Sequence, residues 1–256
     1  MLHNKTQIYL AICALFMLCI PLMFWQTGYQ WELHENIKLM HETELYALIT
    51  LTYTASFPYA ITTSLILTVL LCFVCRHKYQ WQVIALLCIL SLGITQFAKS
   101  SIKQMIQAPR PYVVAMQDKG IITFFGYEHD AFYTLPKNTQ HTLITEFLKA
   151  ESLNDTSRFK AIQTNLQSEL GYAFPSGHSI FATSWLLLFA GLLGKWGRRT
   201  LLPLITLWAA IMLYSRVRLG MHYPIDLLVS ILLSWIWHAF SFAQILPRLQ
   251  QRFQAA

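Results

Sequence analysis

Six apolar stretches decide what this chain can fold into. They run approximately over residues 8–25, 57–75, 82–98, 179–194, 200–215 and 225–243. A helix rises about 1.5 Å per residue, so roughly 20 such residues cross ~30 Å of hydrocarbon. The fourth and fifth stretches are short, and Lys195-Trp-Gly-Arg-Arg199 between them reads as the tip of a hairpin. Lys5 precedes the first stretch and no small-x-small cleavage site follows, so it reads as an uncleaved first span. Composition fits this reading. The chain is 55% hydrophobic and only 12% charged, too few charges for a soluble domain and too apolar for disorder. All five cysteines sit in apolar runs. Cys72-x-x-Cys75 lacks a second ligand pair and reads as small side chains facing lipid or helices, not as a metal site or disulfide framework. The expected fold class is all-α, a polytopic membrane protein with six transmembrane helices in a single domain over residues 1–256.

Basic residues in short loops set the expected orientation. Lys5, the pair Arg76 and Lys78, the trio Lys195, Arg198 and Arg199, and the pair Arg248 and Arg252 all fall on one side of a six-span chain. That side is expected to be cytoplasmic, with both termini there. It holds eight of the 19 basic residues and none of the 12 acids, so the net charge of +7 is mostly an orientation signal. The other side receives residues 26–56, a long segment 99–178, and the short connection 216–224. Within the long segment, 138–150 and 156–170 each carry apolar residues on one helical face, and Gly171 is a stop signal. A small helical cap is expected there, as an insert over 112–174. Residues 36–50 are also amphipathic and read either as an interfacial helix or as an early start to the second span.

Three polar clusters fall on that same side. Lys103, six intervening residues and Arg110-Pro111 follow the third span. Pro175-Ser176-Gly177-His178 precede the fourth. Ser215-Arg216, five residues, His222, three residues and Asp226 lie between the fifth and sixth. Ionisable groups at membrane spans are costly and mark function by default. Lys103, Arg110 and Arg216 supply three cations, and arginine forks match phosphate oxygens. Ser176 and Gly177 open a helix, where free N–H groups and the dipole favour an anion. His222 and Asp226, four residues apart, share a helical face. The carboxylate can fix one ring nitrogen and leave the other free to attack. His178 is placed to protonate a leaving oxygen. Taken singly, Asp226 could merely cap a helix, the three cations could be interfacial anchors, and His178 could be a surface histidine. Arg218 reads as an anchor, or as a phosphate or lipid contact. The constellation outweighs these separate readings.

The clusters resemble the signature of the type-2 phosphatidic acid phosphatase superfamily: K-x6-R-P, P-S-G-H and S-R-x5-H-x3-D. Lys103, Arg110, Pro111, Pro175, Ser176, Gly177, His178, Ser215, Arg216, His222 and Asp226 fill every position. Segments 131–135, 171–174 and 219–222 and the 63-residue stretch between Pro111 and Pro175 resemble a bacterial branch of that family. The resemblance implies a metal-independent, cofactor-free lipid phosphatase of the bacterial inner membrane, with its site facing the periplasm. The implied substrates are phosphatidylglycerol phosphate, phosphatidate, lysophosphatidate, diacylglycerol pyrophosphate and undecaprenyl pyrophosphate. It also implies His222 as nucleophile, His178 as acid, and phosphate binding by Lys103, Arg110, Ser176, Gly177 and Arg216. No nucleic acid and no obligate protein partner are expected. The alternatives are a lipid-binding or transport protein with a phosphate-recognition site, or a vanadate-dependent peroxidase. Because the first and third clusters sit at the outer ends of spans three and five, lipid access is expected between those spans.

Overall fold

The computed structural model describes residues 2–151 and 156–254, and every regular element among them is helical. Helix α1 spans Leu2–Gln26, α2 Glu42–Tyr53, α3 Tyr59–Cys75 and α4 Trp81–Ile106. Then follow α5 (Pro111–Asp118), α6 (Ile121–Phe124), α7 (Lys137–Ala150) and α8 (Thr156–Gln167). The chain finishes with α9 (Gly177–Leu192), α10 (Lys195–Arg218), α11 (Pro224–Phe240) and α12 (Leu246–Gln254). Among the described residues, four segments are long and apolar enough to cross a membrane: Lys5–Gln26, Trp81–Asp118, Gly197–Arg218 and Pro224–Gln254. Tyr59–Cys75 and Gly177–Leu192 are apolar but shorter.

Helix α9 is the axis of the bundle. Every residue from His178 to Leu192 is buried, with α1, α4, α10 and α11 packed around it. A helix apolar on all sides needs such a position. Two serines register α11 against it. Ser230 Oγ donates to the Ser176 carbonyl at 3.1 Å, and Ser234 Oγ to the Ile180 carbonyl at 3.4 Å. Both pairs are 54 residues apart, so the two helices run side by side in one fixed register. Small hydroxyl residues permit this close approach and satisfy their own polar groups across it.

A second apolar core forms the cap over one end of the bundle. It joins Leu143, Ile144, Phe147 and Leu148 of α7 to Ile162 and Leu166 of α8, as the sequence pattern predicts. It also draws in Leu33, Ile37, Met40, Leu45, Leu48 and Ile49 from the first loop. The same core also takes in Leu219 and Met221 from the turn after α10. Residues 36–50 divide into a π turn, His34–Lys38, and the separate helix α2. Turn residues 54–58, ending in Pro58, part α2 from α3, so it is not an early start to the second span. Helix α8 stops at Gln167, short of the predicted 170. The chain turns there to send Glu169 inward.

Candidate active site

The first cluster straddles the end of α4. Lys99 and Lys103 lie one helical turn apart and line the same cavity. Gln107, in the left-handed region at φ 51°, ends the helix, and Pro111 opens α5. Between them Arg110 is buried and extended. Its guanidinium is held on three sides. Nε donates to the Gly171 carbonyl at 2.6 Å, Nη1 to the Met221 carbonyl at 3.1 Å, and Nη2 pairs with Glu169 Oε2 at 3.1 Å. Its backbone N–H donates to the Tyr133 hydroxyl at 2.8 Å, and the Tyr133 ring lies 4.3 Å from that of Tyr172. The segments 131–135 and 171–174 thus clamp Arg110 from the cap side.

The second cluster starts α9. Ser176 is its N-cap, with Oγ accepting from the Ser179 N–H at 3.3 Å and from the Ser179 hydroxyl at 2.8 Å. Its side chain is therefore engaged in capping. Gly177 lines the cavity, and a Cβ there would lie 3.1 Å from Lys99 Cδ.

The third cluster is a tight turn after α10. The Arg216 carbonyl accepts from the N–H groups of Met221 at 3.0 Å and His222 at 3.1 Å. Gly220 makes the turn at φ +70°, and a Cβ there would sit 2.4 Å from the Trp31 ring. Trp31 also donates its Nε1–H to the Arg218 carbonyl at 3.0 Å. Ser215 Oγ bonds the Met212 carbonyl at 2.7 Å within its own helix, a structural role. His222 Nδ1 lies 3.1 Å from Asp226 Oδ2, and that same oxygen accepts from the Tyr223 N–H at 3.0 Å. One carboxylate oxygen therefore both caps α11 and orients the imidazole.

The clusters converge on a residue that lies outside all three motifs. Glu169 Oε1 accepts from Arg216 Nη2 at 2.6 Å and lies 3.6 Å from His178 Nε2, while Oε2 meets Arg110. Ser56 Oγ contacts His178 Nε2 at 2.9 Å. Burial alone would raise the Glu169 carboxyl, but Arg216, His178 and Arg110 together hold it well below the usual carboxylate range. Burial, reinforced by Arg110, Arg216 and Lys103, depresses the His222 imidazole well below the usual histidine range. Its Nδ1 then donates to Asp226, leaving Nε2 with a free lone pair. Arg216 is fully buried, yet its Nε and Nη1 have no hydrogen-bond partner among the described residues. No signal in the sequence distinguishes Glu169, Lys99, Ser56 or Trp31, because each reaches the site from outside the three motifs.

A cavity of about 990 Å³ leads to this point. His178, His222, Glu169, Lys99 and Lys103 form its polar end, and apolar residues of α3 and α4 such as Leu65 and Ile89 form its walls. Its helical walls come mostly from α3, α4 and α9, and no described residue of α10 lines it, so the cavity does not lie between the third and fifth apolar stretches, contrary to the expectation. The fully buried residues of α3, Leu71 and Cys75, lie at the end remote from the site, while Ala60 and Leu67 are partly buried against the core.

The model of the PAP2 superfamily matches residues 81–249. The chain is 34% identical over 239 residues to a phosphatidylglycerophosphatase B of Haemophilus influenzae, covering 91% of this chain and 94% of that protein. It is 36% identical over 227 residues to a phosphatidylglycerophosphatase B of Escherichia coli strain K12, covering 88% and 84% respectively. The matched family region contains all three clusters and the helices that carry them. The chain belongs to the PAP2 superfamily.

Proposed function

We propose that this protein is a membrane lipid phosphatase that works through a phosphohistidine on His222. The observation that carries the reading is the convergence of Arg110, Arg216 and His178 on one carboxylate, that of Glu169. An anion held by two guanidiniums and faced by an imidazole is a fair stand-in for a phosphoryl group. In the first step His222 Nε2 attacks phosphorus, a P–N bond forms and the P–O bond to the lipid breaks. His178 gives its proton to the departing oxygen. In the second step water attacks phosphorus, His178 takes its proton, the P–N bond breaks and inorganic phosphate leaves. Asp226 holds the imidazole and balances the charge it gains. Lys103, Arg110, Arg216 and the N–H groups at Ser176 and Gly177 offset charge on the phosphoryl oxygens.

The substrate class follows from the cavity. Its apolar walls suit acyl chains that stay in the bilayer while the headgroup reaches the polar end. Phosphatidylglycerol phosphate heads the proposed substrates, given the names of the relatives. Phosphatidate, lysophosphatidate, diacylglycerol pyrophosphate and undecaprenyl pyrophosphate present the same terminal phosphate. We place six helices across the bacterial inner membrane, with the termini cytoplasmic and the cap and site periplasmic. The whole chain acts as one domain without a metal or a protein partner. The test is phosphate release by purified protein across these lipids, with and without EDTA. Turnover of at least one, indifferent to chelation and absent in His222→Ala, supports the proposal. Reversible loss with EDTA, or activity surviving in His222→Ala, overturns it.

A further inference from the structure

Arg218 lies two residues beyond Arg216 but belongs to a different surface. It stands at the end of a groove of about 440 Å³ between α1 and α10. Ile20, Met23 and Phe24 of α1, with Thr27 just past its end, form one wall. Ala210, Ile211 and Tyr214 form the other along α10. Both helices are long and apolar enough to cross a membrane. From Ala210 to Arg218 the groove runs eight residues, about 12 Å at 1.5 Å per residue. That is most of one leaflet of ~15 Å, half the usual hydrocarbon thickness. At Ala210 it meets a second cleft of about 350 Å³ lined by Phe16, Leu202, Thr206 and Leu207. Ala210 lines both clefts.

Arg218 lines the groove, and Glu44 stands beside it outside the lining. Arg218 Nη1 donates to Asn36 Oδ1 at 2.8 Å, and the Tyr29 hydroxyl shares that acceptor. Arg218 Nη2 lies 4.0 Å from Glu44 Oε1, which also accepts from the Tyr214 hydroxyl at 3.4 Å. Arg218 Nε is buried without a partner among the described residues. The arginine thus has one unpaired donor, and a half-exposed carboxylate stands beside it. A headgroup with two negative charges meets Glu44 unfavourably. One with a phosphodiester and an amine meets Arg218 and Glu44 in complement.

We propose that this groove is a second lipid site, distinct from the catalytic cavity. It takes one zwitterionic glycerophospholipid from the leaflet on the site's side of the membrane. The phosphodiester sits on Arg218, the amine faces Glu44, and an acyl chain lies between α1 and α10. This lipid does not react, because His222 opens onto other cavities and not onto this groove. It seals the lipid-facing seam beside the turn that carries the nucleophile, and Trp31 links Arg218 to that turn.

The test uses the full chain in vesicles of equimolar phosphatidylethanolamine and phosphatidylglycerol, released gently and weighed by native mass spectrometry. Wild type is expected to retain one phosphatidylethanolamine. Arg218→Gln and Ala210→Phe, which remove the phosphate contact and fill the groove, are each expected to lower that retained fraction at least fivefold. His222→Ala, which alters only the catalytic cavity, is expected to keep it. Phosphate release by the Arg218 and Ala210 variants verifies that they fold. Equal retention of both lipids, or retention unchanged in Ala210→Phe, overturns the proposal.

Discussion

Glu169 accepts a hydrogen bond from Arg216 Nη2 at 2.6 Å, while Nε and Nη1 of the same guanidinium have no partner among the described residues. The arginine is thus half satisfied by a carboxylate that, in the proposed mechanism, a phosphate displaces or shares. Glu169→Gln removes the competing charge and keeps the shape. Inorganic phosphate is expected to inhibit this variant more strongly, with a Ki lower by roughly tenfold, the equivalent of about 1.4 kcal/mol. A Ki equal to that of wild type in a product-inhibition series would show that the carboxylate does not compete.

Asp226 offers a sharper probe of orientation than His222. Its Oδ2 holds both His222 Nδ1 and the Tyr223 N–H. Asp226→Asn keeps the size but weakens the hold on the tautomer. It is expected to lower kcat by roughly 10²–10⁴-fold with little change in KM. Rapid-quench detection of acid-labile phosphoenzyme in this variant is expected to show slowed formation.

The pH profile follows from the sign of the His222 shift. Its pKa is depressed by burial and by Arg110, Arg216 and Lys103, so the imidazole stays neutral below the pH at which a free histidine protonates. In the proposed mechanism the attacking form is the neutral one. Activity therefore persists as pH falls through the ordinary histidine range and is lost only once pH passes below the depressed value. An acidic limb of kcat/KM centred at or above about 6.5 would contradict this.

Gly220 is tested by a double-mutant cycle. A Cβ there meets two penalties, a φ of +70° and the Trp31 ring at 2.4 Å. Gly220→Ala is expected to cost about 1–3 kcal/mol from the backbone alone, plus the clash. Adding Trp31→Ala relieves the clash and not the backbone strain. Thermal unfolding of the four forms should show a coupling of about 0.5–3 kcal/mol. Strict additivity would mean that the ring yields freely.

Substrate access is tested at the cavity wall. Ser64→Trp or Thr68→Trp narrows the cavity at its α3 wall without touching the polar end. KM for a two-tailed lipid phosphate is expected to rise about tenfold, with turnover of a short soluble phosphate ester unchanged. Equal effects on both would place the access route elsewhere.

The sequence makes much of the candidate site's local geometry legible because the motifs encode it. His222 and Asp226 are one turn apart, so a helix start brings them together. Ser176 precedes an apolar run, so it caps. What the motifs do not encode is long-range. Glu169 arrives because α8 stops early and the cap folds over the bundle, and Trp31 because the first loop packs into the same cap core. Neither contact leaves a local pattern. Helix α2 is ambiguous in sequence for a similar reason: its apolar face fits a membrane interface as well as it fits the cap. The cavity's walls are hidden because cluster position reveals where a span ends, not which helices flank the space beside it.

The shared register of α9 and α11 has a consequence for how such a protein can diversify. His178 and Asp226 ride on two helices locked by Ser230 and Ser234, while one wall of the cavity is α3. The candidate catalytic groups sit on two helices in fixed register, and the cavity wall beside them belongs to a helix with few fully buried residues. Substitutions along α3 can then drift the range of tails and headgroups accepted without retuning the histidines, and the two traits can evolve on separate clocks.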